Sequence, residues 1–320
     1  MDSLLISISV LSYNSESTII DTLESIYNQT YQKIELIISD DGSRDKTIDI
    51  AKEWLDSHKD RFINARLLTV EQNTGVPANC NRAVAACNGV WIKLIAADDC
   101  LLPSCINDNH EYAASHPDAK IIYSKYYEFE SINEPFKDSH IPASFHKEFD
   151  TEASRQLKTY LFKGYNITPS LIIKKNVFEK VGGFIEKYKL FEDSPFLTKV
   201  LKSGTKIYFL PEYTVLYRVN NTSITKDCNS NKFYKETFMN IFFSFREEMV
   251  YPLFNRSDLR FWSKELSFKA TYYFAIKVLR NRKNRITNIL FEAFKILTPF
   301  YFLLSIKHTI SRLSKIKNVK

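Results

Sequence analysis

Lys93-Leu94-Ile95-Ala96-Ala97-Asp98-Asp99 is the stretch that decides the fold, because an apolar run of strand type ends there at two adjacent carboxylates. At the carboxyl end of a buried strand, such acids lie at the edge where open α/β sheets bind their ligands. Hard cations such as Mg²⁺ or Mn²⁺ prefer oxygen ligands. The stretch therefore predicts a metal site. The alternative is that both acids simply begin the next helix, where Asp is favoured.

A second pair of acids, Asp40 and Asp41, ends another apolar run over residues 34–39 in the same way. The carboxyl ends of parallel strands meet at one edge of a sheet. Two strands that both end in acids therefore predict a single polar site, and this recurrence favours the metal site over the helix start.

Apolar runs of strand type alternate with segments of helical periodicity along the first two thirds of the chain. Short loops between them predict an α/β fold with a mostly parallel, doubly wound, Rossmann-like sheet. Predicted strands cover residues 4–11, 34–39, 66–70, 89–97, 120–123, 170–173, 206–210 and 214–218. Predicted helices cover residues 16–28, 46–57, 75–87, 101–116, 151–163 and 177–181, with another that ends at 202. Residues 128–148 are predicted to form a long loop.

The composition changes after about Thr225 toward aromatic residues and helix formers. This predicts two parts: a nucleotide-binding and catalytic domain over residues 1–225, and a helical C-terminal appendage over residues 226–320. The spacing of the aromatic residues favours helix packing over a ligand site.

Residues 271–320 contain eleven Lys or Arg and a single acid, Glu292, whereas the whole chain has a net charge of +7. Basic and aromatic residues together fit a segment that lies on an anionic membrane surface, and packing onto the core is the equal alternative. The longest uncharged apolar run, residues 296–306, is broken by Pro299 and is shorter than the roughly 20 residues of a spanning helix. We expect no membrane crossing.

The five cysteines lack zinc-type spacing and no secretory signal opens the sequence, which predicts free thiols and a cytoplasmic protein, peripheral on the inner face of the membrane if the basic region binds lipid. Basic patches attract nucleic acid, but no recognised nucleic-acid module accompanies the charge, so we expect no nucleic-acid partner. No Gly-X-Gly-X-X-Gly follows the first strand, which argues against a dinucleotide-binding dehydrogenase.

Six motifs in order resemble those of the family 2 inverting glycosyltransferases with the GT-A fold, the type that builds bacterial surface polysaccharide. They are Ser9–Asn14, Ser39–Ser43, Asn73–Gly75, Ala97–Asp99, Gly182–Phe184 and Glu192-Asp193. The resemblance spans residues 4–225. It implies transfer of a sugar from a nucleotide sugar, most commonly a UDP-sugar in this family, to a glycan or lipid-linked glycan acceptor.

The resemblance also implies roles for single residues on the nucleotide side. Asp98 is the main ligand of Mn²⁺ or Mg²⁺, and Asp99 is a second ligand or contacts a ribose or sugar hydroxyl. Asp41 accepts a hydrogen bond from the nucleobase, and Tyr13 either borders the base or only packs. The implied nucleotide-binding set is Tyr13, Asn14, Asp41, Gly42, Asn81 and Asp98.

On the acceptor side, Asp193 matches the family's general base, and such bases contribute about 10²–10⁴-fold. Glu192 either positions the acceptor or favours the helix N-terminus. The alternative for both is an acidic first turn without a catalytic role.

Three positions depart from the family pattern. Ala96 stands where many relatives carry an acid, and Cys80 replaces an Arg near the nucleotide, for which Arg82 is a candidate substitute. Asn220 stands where a His often supplies a metal ligand. These departures motivate a second hypothesis, a non-catalytic relative that binds a nucleotide or a glycan.

Overall fold

The structure is a computed structural model that describes residues 4–131, 135–139, 141–164, 167–219 and 231–302. The chain divides into two compact units, Met1–Asn220 and Asn221–Lys320. The first unit contains the sheet, and the second is helical.

The first unit is built on a sheet whose strands are β1 (Ile6–Ser12), β2 (Ile34–Asp40), β3 (Asn64–Leu68), β4 (Trp91–Ala96), β5 (Cys100–Leu101), β6 (Ile121–Phe129), β7 (Lys137–Asp138), β8 (Ile172–Lys174) and β9 (Tyr208–Arg218). The helices of this unit are α1 (Ile19–Tyr27), α2 (Thr47–His58), α3 (Val76–Ala86), α4 (Cys105–Ser115), α5 (Ala143–His146), α6 (Ala153–Lys163), α7 (Lys175–Val181) and α8 (Asp193–Lys202). Short 3₁₀ segments lie at Lys59–Arg61, Lys147–Asp150 and Thr168–Ser170.

The strand order is β3-β2-β1-β4-β8-β6-β9-β5, with β7 paired to β6. Strands β1 to β4 are parallel to one another, as is the pair β6 and β9, whereas β8 runs antiparallel to both β4 and β6. The chain leaves β1 toward β2 on one side and later returns to β4 on the other. This reversal makes the carboxyl ends of β1, β2 and β4 the place where a doubly wound sheet binds its ligand.

The fully buried side chains of β1 and β2 explain why these segments form central strands. Ile6, Ile8 and Val10 of β1 and Ile34 and Leu36 of β2 have no exposed surface. A parallel strand covered by helices on both faces has this near-continuous apolar character. The predicted α/β class and mostly parallel sheet are confirmed.

Strand β9 corrects the prediction of two separate strands at 206–210 and 214–218. It is a single strand, and its pairing with β6 shifts register between Ser124 and Lys125. Pro211 lies on the facing part of β9. Because proline cannot donate a ladder hydrogen bond, sheets accept it at such bulges.

Other boundaries also differ from the prediction. Strand β6 continues to Phe129, and the predicted loop at 128–148 contains the short strand β7 and the helix α5. Helix α1 begins at Ile19 rather than residue 16, because Ser15 to Thr18 form a turn in which the Ser15 carbonyl accepts from Thr18 N.

The second unit contains α9 (Glu236–Phe245), α10 (Leu259–Tyr273) and α11 (Arg285–Leu297), with π-helical turns at Arg246–Val250 and Phe274–Val278 and a 3₁₀ turn at Tyr251–Leu253. Aromatic rings pack between these segments: Phe274 stacks on Phe294 and Phe243 contacts Tyr272. The aromatic spacing thus reflects helix packing. Within the described ranges, every helix is too short or too polar to cross a bilayer.

Cys80, Cys87, Cys100 and Cys105 are buried free thiols. This agrees with the prediction for these four residues, whereas Cys228 lies outside the described residues.

Candidate functional site

The loop after β1 carries an exposed aromatic ring at the edge of the sheet. Tyr13 is 46% exposed. Asn14 has a left-handed backbone with φ of 50°. Its amide accepts from Arg44 N at 2.9 Å, and its backbone N–H donates to the Ser43 hydroxyl at 2.8 Å. Asn14 therefore ties the first loop to the loop after β2, and Tyr13 is left free to stack on a planar ligand.

The carboxylate of Asp40 shapes the loop after β2. It accepts hydrogen bonds from the backbone N–H groups of Gly42 and Ser43, at 3.1 and 2.8 Å, and from the Ser12 hydroxyl at 2.9 Å. Gly42 has φ of +79°, and an added Cβ would lie 3.0 Å from the main-chain carbon of Gln72. The turn therefore requires glycine at this position. The Asp40 carboxylate therefore serves the turn.

Asp41 is buried and fixes the loop that precedes α3. Its oxygens accept from Thr74 N at 3.1 Å, from Gly75 N at 2.8 Å and from the Arg82 guanidinium at 3.0 Å. Burial opposes ionisation, but the hydrogen bonds from Thr74, Arg82 and Gly75 dominate and lower the pKa of Asp41. Asp41 is thus an anion beside a cation, and Arg82 supplies the positive charge that the Cys80 position lacks.

Asp98 and Asp99 lie in the tight turn between β4 and β5. Asp99 N donates to the Ala96 carbonyl at 3.1 Å, and Cys100 and Leu101 then form a strand. The next helix begins at Cys105, so the alternative that these acids start a helix is wrong, as is the predicted helix start at residue 101. The two acids instead terminate β4 at the carboxyl edge of the sheet.

Arg218, at the end of β9, holds this acidic turn. Its backbone N–H donates to the Asp99 carboxylate at 2.8 Å, and its Nε donates to the Asp98 carbonyl at 2.7 Å. The guanidinium also pairs with Asp21 at 2.8 Å and lies 4.4 Å from the Phe129 ring centroid. These contacts of Arg218 could not be predicted from the sequence, because its partners Asp99 and Asp21 are 119 and 197 residues away.

Burial raises the pKa of Asp98, and burial together with repulsion from Asp98 raises the pKa of Asp99 well above its usual range. The pair therefore holds negative charge at a cost, which a bound cation would relieve. Its donors are hard oxygens of the kind that Mg²⁺ and Mn²⁺ prefer. These two carboxylates fit a divalent cation that takes its other ligands from a bound substrate. Within the described residues, no three His, Cys, Asp or Glu side chains form a complete protein cage.

Asn81, on α3, holds the loop Gly182–Phe184. Its side-chain oxygen accepts from Phe184 N at 2.7 Å, and its nitrogen donates to the Phe184 carbonyl at 3.1 Å and to Glu186 at 2.8 Å. Gly183 has φ of +61°, and an added Cβ would lie 2.6 Å from the Asn81 oxygen. In this structure the Asn81 amide is used to shape the loop that precedes the candidate base.

Glu192 and Asp193 begin α8, and both are half-buried. Neither side chain caps the helix, since no side-chain cap hydrogen bond is formed. Burial, and then repulsion from Glu192, raises the pKa of Asp193 well above its usual range, while a hydrogen bond from the Thr168 hydroxyl lowers it. Burial likewise raises the pKa of Glu192. A carboxylate with a raised pKa is a stronger base than an ordinary Asp.

Lys93 holds the backbone that follows Thr168, a role that sequence reasoning missed. Its ammonium is fully buried in β4 and donates to the carbonyls of Pro169 and Leu171. Burial lowers the pKa of Lys93 to about 8. The signal in the sequence was a lysine inside an otherwise apolar strand, where an unpaired charge is costly.

The charges of the candidate site acids affect the pKa values of two buried side chains, Tyr217 and Cys80. Burial raises the pKa of Tyr217 to about 12, and the charges of Asp99, Asp98 and Asp193 add to this effect. Burial raises the pKa of Cys80, with further contributions from Glu192, Asp193 and Asp41. Asp193 thus acts on the same group as Asp41 at Cys80, and on the same group as Asp98 and Asp99 at Tyr217. Asn220 lies outside the described residues.

Comparisons with known proteins identify relatives of this chain. The profile of the family "Glycosyl transferase family 2" matches residues 7–182, which is more than half of the chain. An uncharacterized glycosyltransferase of Methanocaldococcus jannaschii is 28% identical over 69% of this chain and 73% of its own length. The glycosyltransferase GlyG of Streptococcus pneumoniae is 26% identical over 69% of this chain and 73% of its own length.

Solved structures show the same fold. S. aureus TarS 1-349 in complex with UDP superposes with a TM-score of 0.55 at 20% sequence identity, covering 82% of this chain and 79% of that one. The chain spans 48% of the longer TarS structure. This similarity confirms the GT-A fold that the motifs implied. The profile match over most of the sheet unit establishes that the chain is a member of glycosyltransferase family 2.

Proposed function

We propose that the protein is an inverting glycosyltransferase that moves a sugar from a nucleotide-diphosphate sugar to a hydroxyl group of a glycan or lipid-linked glycan. The observation that carries this proposal is that Asp41 after β2 and Asp98 and Asp99 after β4 lie at one carboxyl edge of the parallel sheet. Asp193 at the start of α8 supports it, because its charge acts on Cys80 together with Asp41 and on Tyr217 together with Asp98 and Asp99. The arrangement combines an edge of carboxylates that fits a cation with a base of raised pKa. The proposed donor is a UDP-sugar, in line with the S. aureus TarS structures that contain UDP and UDP-GlcNAc.

On the donor side, the loops after β1 and β2 hold the nucleotide. The exposed ring of Tyr13 stacks on the base, and Asp41 accepts a hydrogen bond from it. Asn14 and Gly42 fix the shape of these two loops, and Asn81 borders the site from α3. Asp98 and Asp99 hold a divalent cation, Mn²⁺ or Mg²⁺, which when bound offsets the charge of the leaving diphosphate.

On the acceptor side, Asp193 takes the proton of the attacking hydroxyl. Inversion needs this attack from the face opposite the leaving group, so the base must lie across the site from the diphosphate edge. Thr168 orients the Asp193 carboxylate, and the neighbouring charge of Glu192 keeps its proton affinity high. Glu192 also positions the acceptor.

Binding of nucleotides tests the donor half. We expect UDP with Mn²⁺ or Mg²⁺ to stabilise the protein by about 2.7 kcal/mol at a hundredfold excess over Kd. Asp98→Asn should lose the metal-dependent part of this shift and Asp41→Ala the nucleotide-dependent part, measured as Tm across a panel of nucleoside diphosphates. A parent that no nucleotide stabilises would contradict the proposed donor.

Turnover tests the acceptor half. Asp193→Asn should reduce kcat by about 10²–10⁴-fold while the UDP-dependent rise in Tm stays unchanged. NMR of the product should show that the anomeric configuration is inverted, and retention would overturn the assigned mechanism.

A non-catalytic nucleotide- or glycan-binding protein is the second candidate, favoured by Ala96 in place of an acid and by the two-carboxylate cation site. This candidate predicts that the parent binds a nucleotide without transferring sugar from any donor, and that Asp193→Asn behaves like the parent.

We also propose that the basic C-terminal region keeps the protein at an anionic membrane surface, peripheral to the cytoplasmic face, where lipid-linked acceptors are found.

A further inference from the structure

Helix α11 of the second unit carries two separate apolar faces. Its inner face packs on the unit: Phe291 stacks on Phe233 with ring centroids 4.7 Å apart, and Phe294 stacks on Phe274 at 4.1 Å. The opposite face forms an exposed row at helical spacing, which we name the outer stripe. The outer stripe consists of Ile286, Ile289, Leu290, Ile296 and Leu297.

The side chains of the outer stripe are largely exposed to solvent. Ile286 is 71%, Ile289 62% and Leu297 73% exposed. Ile289 and Leu290 follow Ile286 by three and four residues, and Ile296 and Leu297 lie seven residues after Ile289 and Leu290, so all five share one helix face, with the exposed Ala293 between the two groups. Exposed apolar bands of this kind mark interaction surfaces.

The rotation of α11, and hence the direction of the outer stripe, is fixed at the N-terminus of the helix. Asn284 forms a reciprocal capping box with Thr287, in which Thr287 N donates to the Asn284 side chain at 2.9 Å and Asn284 N donates to the Thr287 hydroxyl at 2.8 Å. Such a box defines where a helix begins. Together with the inner aromatic stacks, it holds the outer stripe away from the unit.

A cluster of cations lies beside the outer stripe. Its members are Lys277, Arg280, Arg282, Lys283 and Arg285, all of them exposed. No acidic residue occurs between Glu265 and Glu292, and in the described part of the chain none of the five forms an ion pair. This basic cluster therefore has no counter-charge of its own along its segment.

The turn that presents the basic cluster is held in an unusual conformation. Arg280 and Asn281 both have left-handed backbones, with φ of 52° and 54°. The buried Asn281 side chain secures the turn by accepting from Phe233 N at 3.1 Å and Tyr234 N at 3.0 Å and by donating to the Tyr234 carbonyl at 2.9 Å. Left-handed non-glycine residues cost energy and persist only when their surroundings enforce them.

We propose that the outer stripe and the basic cluster form a membrane-contact surface in which α11 lies flat on an anionic bilayer. The stripe enters the boundary between headgroups and acyl chains, and the cluster contacts lipid phosphates. An anionic lipid surface matches both features, because it offers apolar depth along a straight helix face and negative charge beside it. Residues 303–320 are a poor match for this surface, because they contain five Lys or Arg and no acid that could pair with the basic cluster.

This surface deepens the membrane association proposed above, and its test needs no sugar transfer. Full-length protein is sedimented with vesicles of phosphatidylcholine alone or mixed with phosphatidylglycerol. We expect binding to the mixed vesicles that weakens with salt, and far weaker binding to phosphatidylcholine. Equal binding to both lipids, or none to either, would overturn the proposal whatever the enzyme's activity.

Matched serine variants locate the surface. Ile289→Ser should lower the partition coefficient on mixed vesicles about tenfold, since one aliphatic side chain no longer enters the bilayer. Asn288→Ser, on the neighbouring polar position, should leave it unchanged. The double variant Arg282→Gln with Lys283→Gln should lower the partition coefficient about fivefold for each cation removed, at low salt. Unaltered circular dichroism and Tm show that the variants remain folded.

Two outcomes would assign the outer stripe to another occupant. Ile289→Ser and Arg282→Gln variants that bind like the parent would place the lipid contact elsewhere, for example in residues 303–320. A parent that is a dimer by light scattering without lipid, with a monomeric Ile289→Ser variant, would show that a second copy covers the stripe. Either result would overturn the proposal.

Discussion

The two carboxylates at the start of α8 differ in what their neighbours do to them. Asp193 accepts from the Thr168 hydroxyl and faces the charge of Glu192, and burial and repulsion together raise its pKa. Two carboxyl groups this close cannot both ionise easily, so they titrate as a pair. The residue assigned as base must be ionised to take a proton, and the acid limb of the activity profile therefore reports on this pair.

Replacing Glu192 with Gln should move that acid limb to lower pH. The neutral amide removes the repulsion that raises the pKa of Asp193, so Asp193 stays ionised in more acidic solution. The measurement is kcat/KM against pH for the parent and the variant. A variant with a raised acceptor KM and an unmoved acid limb would show that Glu192 acts only in binding the acceptor.

Replacing Lys93 with Met should change how stability depends on pH. Burial lowers the pKa of Lys93 to about 8, while in the unfolded chain it is about 10.4. Between these values the unfolded state binds more protons, so the contribution of Lys93 to stability rises with pH. The parent should gain about 2 kcal/mol over Lys93→Met between about pH 8 and pH 10.

Urea unfolding at several pH values checks the Lys93 prediction, because the difference between the two proteins cancels the titration of other groups. Lys52→Met, at an exposed position of α2, is the matched control. A difference between the parent and Lys93→Met that stays constant from pH 7 to pH 10 would contradict the assigned burial of the ammonium.

At the scale of elements, helix α3 connects the two halves of the site. Arg82 on one side of α3 contacts Asp41, and Asn81 next to it holds the loop Gly182–Phe184. Adjacent residues on a helix point about 100° apart, so a single turn of α3 reaches both the nucleotide loops and the acceptor loop.

Asn81→Ala should loosen the Gly182–Phe184 loop and raise the acceptor KM more than the donor KM. The variant loses three hydrogen bonds and leaves the Phe184 N–H and carbonyl without this partner, at a cost of about 1 kcal/mol each in stability. Initial rates at varied donor and acceptor concentrations, with Tm, measure both effects. Asn107→Ala, which removes one exposed bond to Glu111, is the control. An equal rise in both KM values would count against the loop assignment.

The first four parallel strands and the acids after β2 and β4 were predictable, because local patterns of apolar and acidic residues define them. The details of β9 were not, since the register shift near Pro211 depends on pairing with β6, 80 or more residues earlier. The roles of Arg218 and Lys93 escaped prediction for the same reason. Their partners lie 76 or more residues away in the sequence and are brought close only by the fold.

Over the whole molecule, positive charge and the proposed chemistry lie in different units. The residues assigned to nucleotide, metal and acceptor lie between Tyr13 and Asp193, inside the unit Met1–Asn220, whereas the basic cluster and the outer stripe lie in the unit Asn221–Lys320. The hydrogen bonds described for Asp41, Asp99, Asn81 and Asp193 all have partners inside the first unit. The proposed donor site and the proposed membrane-contact surface therefore lie in separate parts of the chain.

A fragment of residues 1–225 should bind UDP and a divalent cation with the same Kd as the full chain but should not sediment with anionic vesicles. The donor contacts and their supporting hydrogen bonds stay within the fragment, while the outer stripe and basic cluster are absent from it. Calorimetric titration and vesicle sedimentation measure the two properties on one preparation. A folded fragment with intact circular dichroism that fails to bind UDP would contradict the proposed boundary at residue 225, and a fragment that still sediments with the vesicles would contradict the assignment of lipid binding to the second unit.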